Sequence, residues 1–197
     1  DPLFNVAWPI PAGVTPIMSP KDTAAPTLAV YRPHLSAAVP RGRILVIGGS
    51  GQVGGALIDA FGARNCVGTY SNTPVEGMVP FDLEASAFFP QMAEDLITMV
   101  YPTVVCICAG FTWVDGCESQ PAKANKMNNR GPAVVAEVAK KHGAKVVWYS
   151  TDYVFDGGVR AAAGPYAEDA EPSPLNIYGS SKLKGEETVL AADPDAL

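Results

Sequence analysis

The chain has 197 residues, of which 48% are hydrophobic and 17% charged, and this composition supports one folded hydrophobic core. Its 14 Lys and Arg residues are outnumbered by 20 Asp and Glu residues, giving a formal net charge of −6. That balance argues against a nucleic-acid-binding surface, because phosphate contacts need clustered cations. No apolar run approaches the length of a membrane-spanning helix.

The first 42 residues are rich in proline and hold eight of the 18 prolines of the chain. Proline prevents long helices and favours extended backbone. The segment also carries Phe4, Trp8, Ile10 and Tyr31, which are too many apolar groups for a simple solvated linker. We therefore predict an extended arm over residues 1–42 that lies along a protein surface, with a disordered leader as the alternative. One folded domain is expected over residues 43–197.

A glycine-rich turn opens this domain. The apolar run 43–47 predicts a buried parallel strand, and it leads directly into the sequence Gly-Gly-Ser-Gly-Gln-Val-Gly over residues 48–54. Apolar residues then recur at helical spacing at Val53, Ala56, Leu57, Ala60 and Phe61. A turn between a strand and a helix lets a pyrophosphate approach bare backbone and the helix N-terminus. We predict that a nucleotide binds here through Gly48, Gly51, Gln52, Val53 and Gly54; the alternative is a glycine-rich turn with no ligand.

The rest of the domain alternates strands and helices, which is typical of a parallel sheet with right-handed crossovers. We predict further strands over residues 66–70, 78–81, 104–108 and 145–150, and helices over 88–99, 121–142 and 176–191. The expected fold is a Rossmann-like, doubly wound α/β sheet. In such a sheet the ligand lies over the carboxyl ends of the strands.

The residues that follow the strand 66–70 select between NAD and NADP. At this position NAD-selective proteins usually present a carboxylate to the ribose hydroxyls. The chain has Ser71 and Asn72 there and no acid, so either side chain could hydrogen-bond a 2′-phosphate. No Arg is present to bind that phosphate as an ion pair. The sequence therefore favours NADP, with NAD left open.

A candidate catalytic set follows the last predicted strand. Thr151 comes directly after that strand, and Tyr178 and Lys182 lie four residues apart on a predicted helix. This spacing places both side chains on one helix face. The ammonium can then lower the phenol pKa, so that Tyr178 exchanges a proton with a carbonyl oxygen while Thr151 adds a second hydrogen bond. We predict carbonyl reduction; a chance pairing on a surface helix is the alternative.

From residue 43 to residue 190 these motifs resemble the extended short-chain dehydrogenases/reductases, and within them the dTDP-4-dehydrorhamnose reductase family. The pattern is also similar to that of the regulatory beta subunit of methionine adenosyltransferase, a relative that binds the nucleotide and serves a partner enzyme. A non-catalytic accessory or structural subunit of a larger assembly therefore stays open beside the reductase. The matching segments are 48–54, 112–115 with Glu118, Asn128 with Gly131, 150–157, 165–169 and 174–186.

The resemblance implies roles for individual residues. NADPH would deliver hydride to the 4-keto carbon of a nucleotide-linked sugar while Tyr178 supplies the proton, and Lys182 would hold the ribose hydroxyls. Asp82 and Leu83 would contact the adenine, with a turn or helix cap as the alternative for Asp82. Ala109 and Gly110, at the end of the fourth strand, would also contact the cofactor, as would Tyr178. Residues 112–118 match a loop that borders the substrate. The family usually has Asn where this chain has Cys108, and a thiol hydrogen-bonds only weakly.

The family continues beyond the Lys182 helix with a sixth strand and a small substrate-binding domain, whereas this chain stops at Leu197. We therefore expect the C-terminal substrate domain to be absent and the strand 145–150 to be an uncovered edge. A protein partner, a second copy of this chain, the proline-rich arm or a missing C-terminal part of the same protein would then cover it.

Four cysteines, Cys66, Cys106, Cys108 and Cys117, fall in or beside the predicted core, in a chain with two His and no metal-ligand spacing. We interpret them as buried, reduced packing residues and expect no metal. This favours a reducing compartment, the cytoplasm or an organelle matrix, over secretion.

Overall fold

Five short parallel strands form one sheet in the order β3-β2-β1-β4-β5. The structure is a computed structural model and describes residues 43–158 and 165–197; the predicted arm over residues 1–42 lies outside the described residues. The strands are β1 (Ile44–Ile47), β2 (Cys66–Tyr70), β3 (Val79–Pro80), β4 (Val104–Ile107) and β5 (Lys145–Trp148). The Rossmann-like α/β prediction is confirmed.

The strands β1, β4 and β5 are apolar because helices cover both faces of the sheet. Leu45 of β1, Val105 of β4 and Val146 of β5 are fully buried. Chain order reverses between β1 and β4, where Ile44 pairs with Val104. The carboxyl ends of these two strands therefore border the crevice in which a ligand of such a sheet lies.

Seven α-helices flank the strands in the described part of the chain. They are α1 (Gln52–Phe61), α2 (Leu83–Ser86), α3 (Gln91–Val100), α4 (Val114–Ser119), α5 (Pro121–Asn125), α6 (Gly131–Lys141) and α7 (Ile177–Ala192). A π-helical segment (Lys126–Arg130) joins α5 to α6, and a 3₁₀ turn (Asp152–Val154) follows β5. The helix predicted over 121–142 is thus present, with an internal π segment, and the loop expected over 112–118 is largely the helix α4.

The packing face of α1 differs from the apolar face that the sequence indicates. Val53 and Phe61 are 50% and 48% exposed, and Gly54 is the buried residue of the helix. A Cβ atom at Gly54 would lie 2.2 Å from the carbonyl oxygen of Gly48, so the helix backbone itself lies against the glycine turn. Because the residue that makes this contact is a glycine, the periodicity of hydrophobic residues in the sequence does not predict it.

The edge of β5 is not bare, which corrects the expectation for residues 145–150. The Leu197 amide donates to the carbonyl of Val146 at 2.9 Å, and the Trp148 amide donates to the carbonyl of Leu197 at 2.8 Å. This alternation is that of a parallel ladder. Leu197 therefore satisfies the outward-facing groups at the centre of the strand.

Candidate functional site

The glycine turn after β1 is held by close contacts that leave no room for a side chain at Gly48. Gly48 has φ +85°, and a Cβ there would lie 2.7 Å from the amide nitrogen of Ala109. The Gly48 amide donates to the hydroxyl oxygen of Thr69 at 3.0 Å. The turn is thus fixed between the ends of β2 and β4. Glycine is needed at this position both for its dihedral angle and for the close approach.

The N-terminus of α1 has the properties of an anion site. Its N-cap is Gly51, which makes no side-chain capping hydrogen bond, so the first amides of the helix, from Gln52 and Val53, have no capping partner. Gly51 itself is exposed, and a Cβ there would have one neighbour, the Gly48 carbonyl oxygen at 3.3 Å. Free amides at the positive end of a helix dipole fit a pyrophosphate.

A cleft with a volume of about 160 Å³ runs from this turn along the carboxyl ends of β1, β2, β3 and β4. Its lining includes five of the predicted cofactor residues: Gly48, Ser71, Asp82, Leu83 and Ala109. It also includes residues that sequence reasoning missed: Ile47, Ser50, Thr69, Tyr70, Phe81, Glu84, Lys123 and Met127. Asn72, which the sequence offers as a partner of a 2′-phosphate, lines it as well. Thr69 was detectable as a lone hydroxyl in an apolar strand; Lys123 and Met127 had no comparable signal.

Asp82 caps α2, as the alternative interpretation expects. Its Oδ1 accepts from the amides of Glu84 at 2.9 Å and Ala85 at 3.1 Å. Capping and ligand contact are compatible here, because one oxygen accepts both amides while the residue still lines the cleft. The adenine contact stays a prediction.

Thr151 and Tyr178 are brought together at the carboxyl end of β5. Burial raises the pKa of Tyr178, and a side-chain hydrogen bond with Thr151 lowers it in part. Burial is the larger of these two effects, so the pKa lies above its ordinary value, and the lowering of this pKa by Lys182 stays a prediction. Tyr153 packs edge-on against the Tyr178 ring, with 5.7 Å between ring centroids. The phenol is therefore held neutral, which is the form that donates a proton.

Lys182 is buried one helical turn after Tyr178. Its ammonium donates to the carbonyl oxygen of Tyr149 and lies 3.7 Å from the centroid of the Trp148 ring. Burial lowers the pKa of Lys182 to about 8, while the carboxylate of Glu186 opposes this shift. The amine thus loses its proton far more readily than a surface lysine.

An amide network that the sequence analysis did not assign joins the catalytic helix to β4. Asn128, buried in the π segment, accepts from the Phe111 amide at 2.7 Å and donates to the Phe111 carbonyl at 2.9 Å. It also donates to the hydroxyl of Ser181 at 3.0 Å, and this hydroxyl donates to the Tyr178 carbonyl at 2.8 Å. Gly185 packs so closely on this segment that a Cβ would lie 2.1 Å from the Asn128 carbonyl oxygen. Asn128 therefore orders the backbone after Gly110.

The cysteines are packing residues in this structure. All four are free thiols, with Cys66, Cys106 and Cys117 buried. Burial raises the pKa of Cys108 to about 12, so this thiol stays protonated at neutral pH. Within residues 43–158 and 165–197, no group of three or more His, Cys, Asp or Glu is arranged to hold a metal ion. None of the helices described there is long and apolar enough to cross a membrane.

The geometry thus combines a cleft beside a glycine turn with a Thr-Tyr-Lys set at the same edge of one sheet. Comparison with known proteins identifies a family for this chain. Residues 42–197 match the RmlD substrate binding domain. The chain belongs to this family. It is 38% identical over 158 residues to dTDP-4-dehydrorhamnose reductase of Mycobacterium tuberculosis, covering 78% of this chain and 47% of that protein. It is 34% identical over 157 residues to methionine adenosyltransferase 2 subunit beta of Rattus norvegicus, covering 77% and 44%.

Solved structures agree with the family. A dTDP-4-dehydrorhamnose reductase from Bacillus anthracis in complex with NADP has a TM-score of 0.64 at 28% identity, covering 79% of this chain and 51% of that one. MoeE5 in complex with UDP-glucose and NAD has a TM-score of 0.65 at 25% identity, covering 79% and 51%. The chain spans about half the length of the relatives it matches.

Proposed function

We propose that this chain carries the cofactor-binding and proton-donating half of an NAD(P)H-dependent reductase that acts on a 4-keto nucleotide-sugar. The observation that carries the proposal is that Thr151 and Tyr178 meet at the carboxyl end of β5, with buried Lys182 one turn further along α7. Because an accessory domain needs a nucleotide site but no proton donor, this set favours an enzyme.

The residues fit a nicotinamide dinucleotide. The uncapped start of α1, at Gln52 and Val53, would hold the pyrophosphate, and the cleft beside Ser71 and Asp82 would hold the adenosine. When bound, the reduced nicotinamide supplies the hydride. Lys182 would exchange its hydrogen bond to Tyr149 for the nicotinamide ribose hydroxyls. Gly48, Gly51, Gly54, Leu83, Ala109 and Gly110 complete the proposed cofactor set.

Proton transfer is the task of the Thr151–Tyr178 pair. Thr151 would donate a hydrogen bond to the substrate carbonyl oxygen and so favour negative charge on it. As the carbonyl carbon gains the hydride, its C=O π bond breaks and the oxygen takes the phenolic proton of Tyr178, which gives a secondary alcohol. The neighbouring Lys182 ammonium would stabilise the phenolate until solvent returns the proton.

NADP is the proposed cofactor, with NAD as the second candidate. The cleft wall after β2 carries Ser71 and Asn72 and no acid, so a 2′-phosphate would meet hydrogen-bond donors on that wall. The Bacillus anthracis relative in complex with NADP supports this preference, whereas MoeE5 in complex with NAD supports NAD as the second candidate. A nucleotide-sugar substrate is supported by the dTDP-4-dehydrorhamnose reductases among the relatives.

An accessory subunit that keeps the nucleotide site is the second proposal. It rests on the 34% identity to methionine adenosyltransferase 2 subunit beta, which nearly equals the identity to the reductases. In this role, residues 1–42 and the outer side of β5 would contact a protein partner or a second copy, although Leu197 already occupies the centre of that edge.

The test is turnover of NADPH by the full chain with dTDP-4-dehydrorhamnose, followed as loss of reduced-nicotinamide absorbance and as the alcohol product by mass spectrometry. The reductase proposal expects stoichiometric product. Saturable NADPH binding with no product, alone or with added cell extract, would reject the reductase and leave the accessory role.

A further inference from the structure

Lys123 lies in the wall of the proposed cofactor cleft, outside the motifs that the sequence analysis assigned. It belongs to α5, and its neighbours around the cleft include Ser71, Asn72 and Met127. Of the described residues that line this cleft, Lys123 is the one with a positive charge; Asp82 and Glu84 are the acids.

The acids of the cleft are already engaged, whereas the ammonium of Lys123 is not. Glu84 forms an ion pair with Lys126 at 3.1 Å, and Asp82 accepts two backbone amides of α2. The Lys123 ammonium lies 5.0 Å from the centroid of the Phe111 ring, and no described carboxylate is within ion-pair distance of it. A half-buried cation is thus held by an aromatic face and keeps its hydrogen-bond donors for another partner.

A dinucleotide supplies the missing partner. Its phosphates carry at least two negative charges into a chain with a formal net charge of −6, where the glycine turn offers only backbone amides. In a partly enclosed cleft, a cation near phosphate is screened less than at an open surface. Lysine is also a common phosphate ligand in proteins, acting as a point charge.

We propose that Lys123 is a phosphate-binding residue of the cofactor site. The inference rests on the proposed cofactor and adds the charged contact that the sequence lacks after β2. The phosphate has two sources on the same ligand, the pyrophosphate that NADPH and NADH share and the 2′-phosphate that only NADPH has. Lys123 would bind either phosphate in the same way, through its ammonium and a negatively charged phosphate oxygen.

The test is calorimetric titration of the full chain with NADPH and with NADH, at low and at high salt. Lys123→Met removes the charge and keeps an apolar stem over Phe111, while Lys123→Arg retains the charge. Lys140→Met is the matched control, since it makes the same change in net charge at an exposed position outside the cleft. Thermal unfolding of all variants checks that each is folded.

We expect Lys123→Met to weaken NADPH binding about tenfold, the scale of a hydrogen bond to a charged group, and to reduce its salt dependence. Lys123→Arg and Lys140→Met should stay within about twofold of the unsubstituted chain. A loss for both nucleotides identifies the pyrophosphate, and a loss for NADPH alone identifies the 2′-phosphate.

Equal affinity of Lys123→Met and Lys140→Met for both nucleotides would overturn the inference and leave the proposed cofactor intact. An unsubstituted chain that binds neither nucleotide at millimolar concentration would overturn both.

Discussion

The Ser150 hydroxyl donates a hydrogen bond to the Glu186 carboxylate and so joins the end of β5 to the middle of α7. Glu186 lies one helical turn after Lys182 and raises its pKa against the effect of burial. A residue outside the Thr-Tyr-Lys set thus fixes where α7 lies relative to Thr151 and also acts on the charge of the lysine.

Glu186→Gln keeps the shape and the acceptor for Ser150 but removes the charge. The pKa of Lys182 should then fall below its present value of about 8. If charged Lys182 holds the ribose, the basic limb of the pH profile for NADPH binding moves to lower pH. The exposed neighbour Glu187 gives the control Glu187→Gln. A basic limb that moves equally in both variants would contradict the specific effect of Glu186.

Lys182 should make stability depend on pH in a defined window. Burial lowers its pKa from 10.5 to about 8, so between these values the unfolded chain binds more protons than the folded chain. The free energy of unfolding therefore rises with pH in this window, by about 2.5 kcal/mol between about pH 8 and about pH 10.5 for this one group. Denaturant unfolding of Lys182→Met should lack this increment. A parallel pH dependence of both proteins would show that the lysine titrates normally.

Tyr178→Phe removes the proposed proton donor and keeps the ring that packs against Tyr153. With a 4-keto nucleotide-sugar we expect turnover to fall about a hundredfold or more, the scale of losing a general acid, with little change in nucleotide affinity. Tyr153→Phe is the matched control, because it removes a phenol from the same ring pair. An unchanged rate in Tyr178→Phe would assign the proton to another group.

Gly51 and Gly54 should separate binding from folding. Gly51 is exposed with φ −86°, and a Cβ there would have one close neighbour, the Gly48 carbonyl oxygen at 3.3 Å. Gly51→Val therefore needs a small local shift of the turn, and it fills the space before the free amides of α1. It should abolish NADPH binding at nearly unchanged melting temperature.

Gly54→Ala should instead destabilise the fold. Its Cβ would meet the Gly48 carbonyl at 2.2 Å, so the free energy of unfolding should fall by at least about 2 kcal/mol in chemical denaturation. For the first variant, Gly51→Val, full NADPH affinity would show that the glycine turn is not part of the cofactor site.

Local sequence rules predict the elements of this fold well, because each depends on neighbours in the chain. The bounds predicted for β2, residues 66–70, coincide with the observed strand, and Thr151 and Tyr178 meet as a strand end and a helix should. Local sequence rules do not predict contacts between segments that are distant in the chain. The buried face of α1 depends on Gly54 touching Gly48, and the β5 edge depends on two hydrogen bonds with Leu197.

The charges of the site were missed for a related reason. A lysine near the start of a helix, such as Lys123, looks like an ordinary solvated residue until the cleft is assembled beside it. The partner of Lys182 is a backbone carbonyl, that of Tyr149, which no side-chain pattern encodes. Both assignments need tertiary structure.

The π segment sets the rotational phase of the helical run from α5 to α6. Before and within it, Lys123 and Met127 line the cleft, whereas after it Val135 and Ala139 are fully buried in the core. The extra residue in that turn shifts the helix face by about 100° relative to an uninterrupted α-helix. If one residue between Lys126 and Arg130 were deleted, the helical run could keep its cleft-lining residues in place or its core residues in place, but not both. Length variation at this point should therefore be tolerated far less than equal variation in the turn around Gly77.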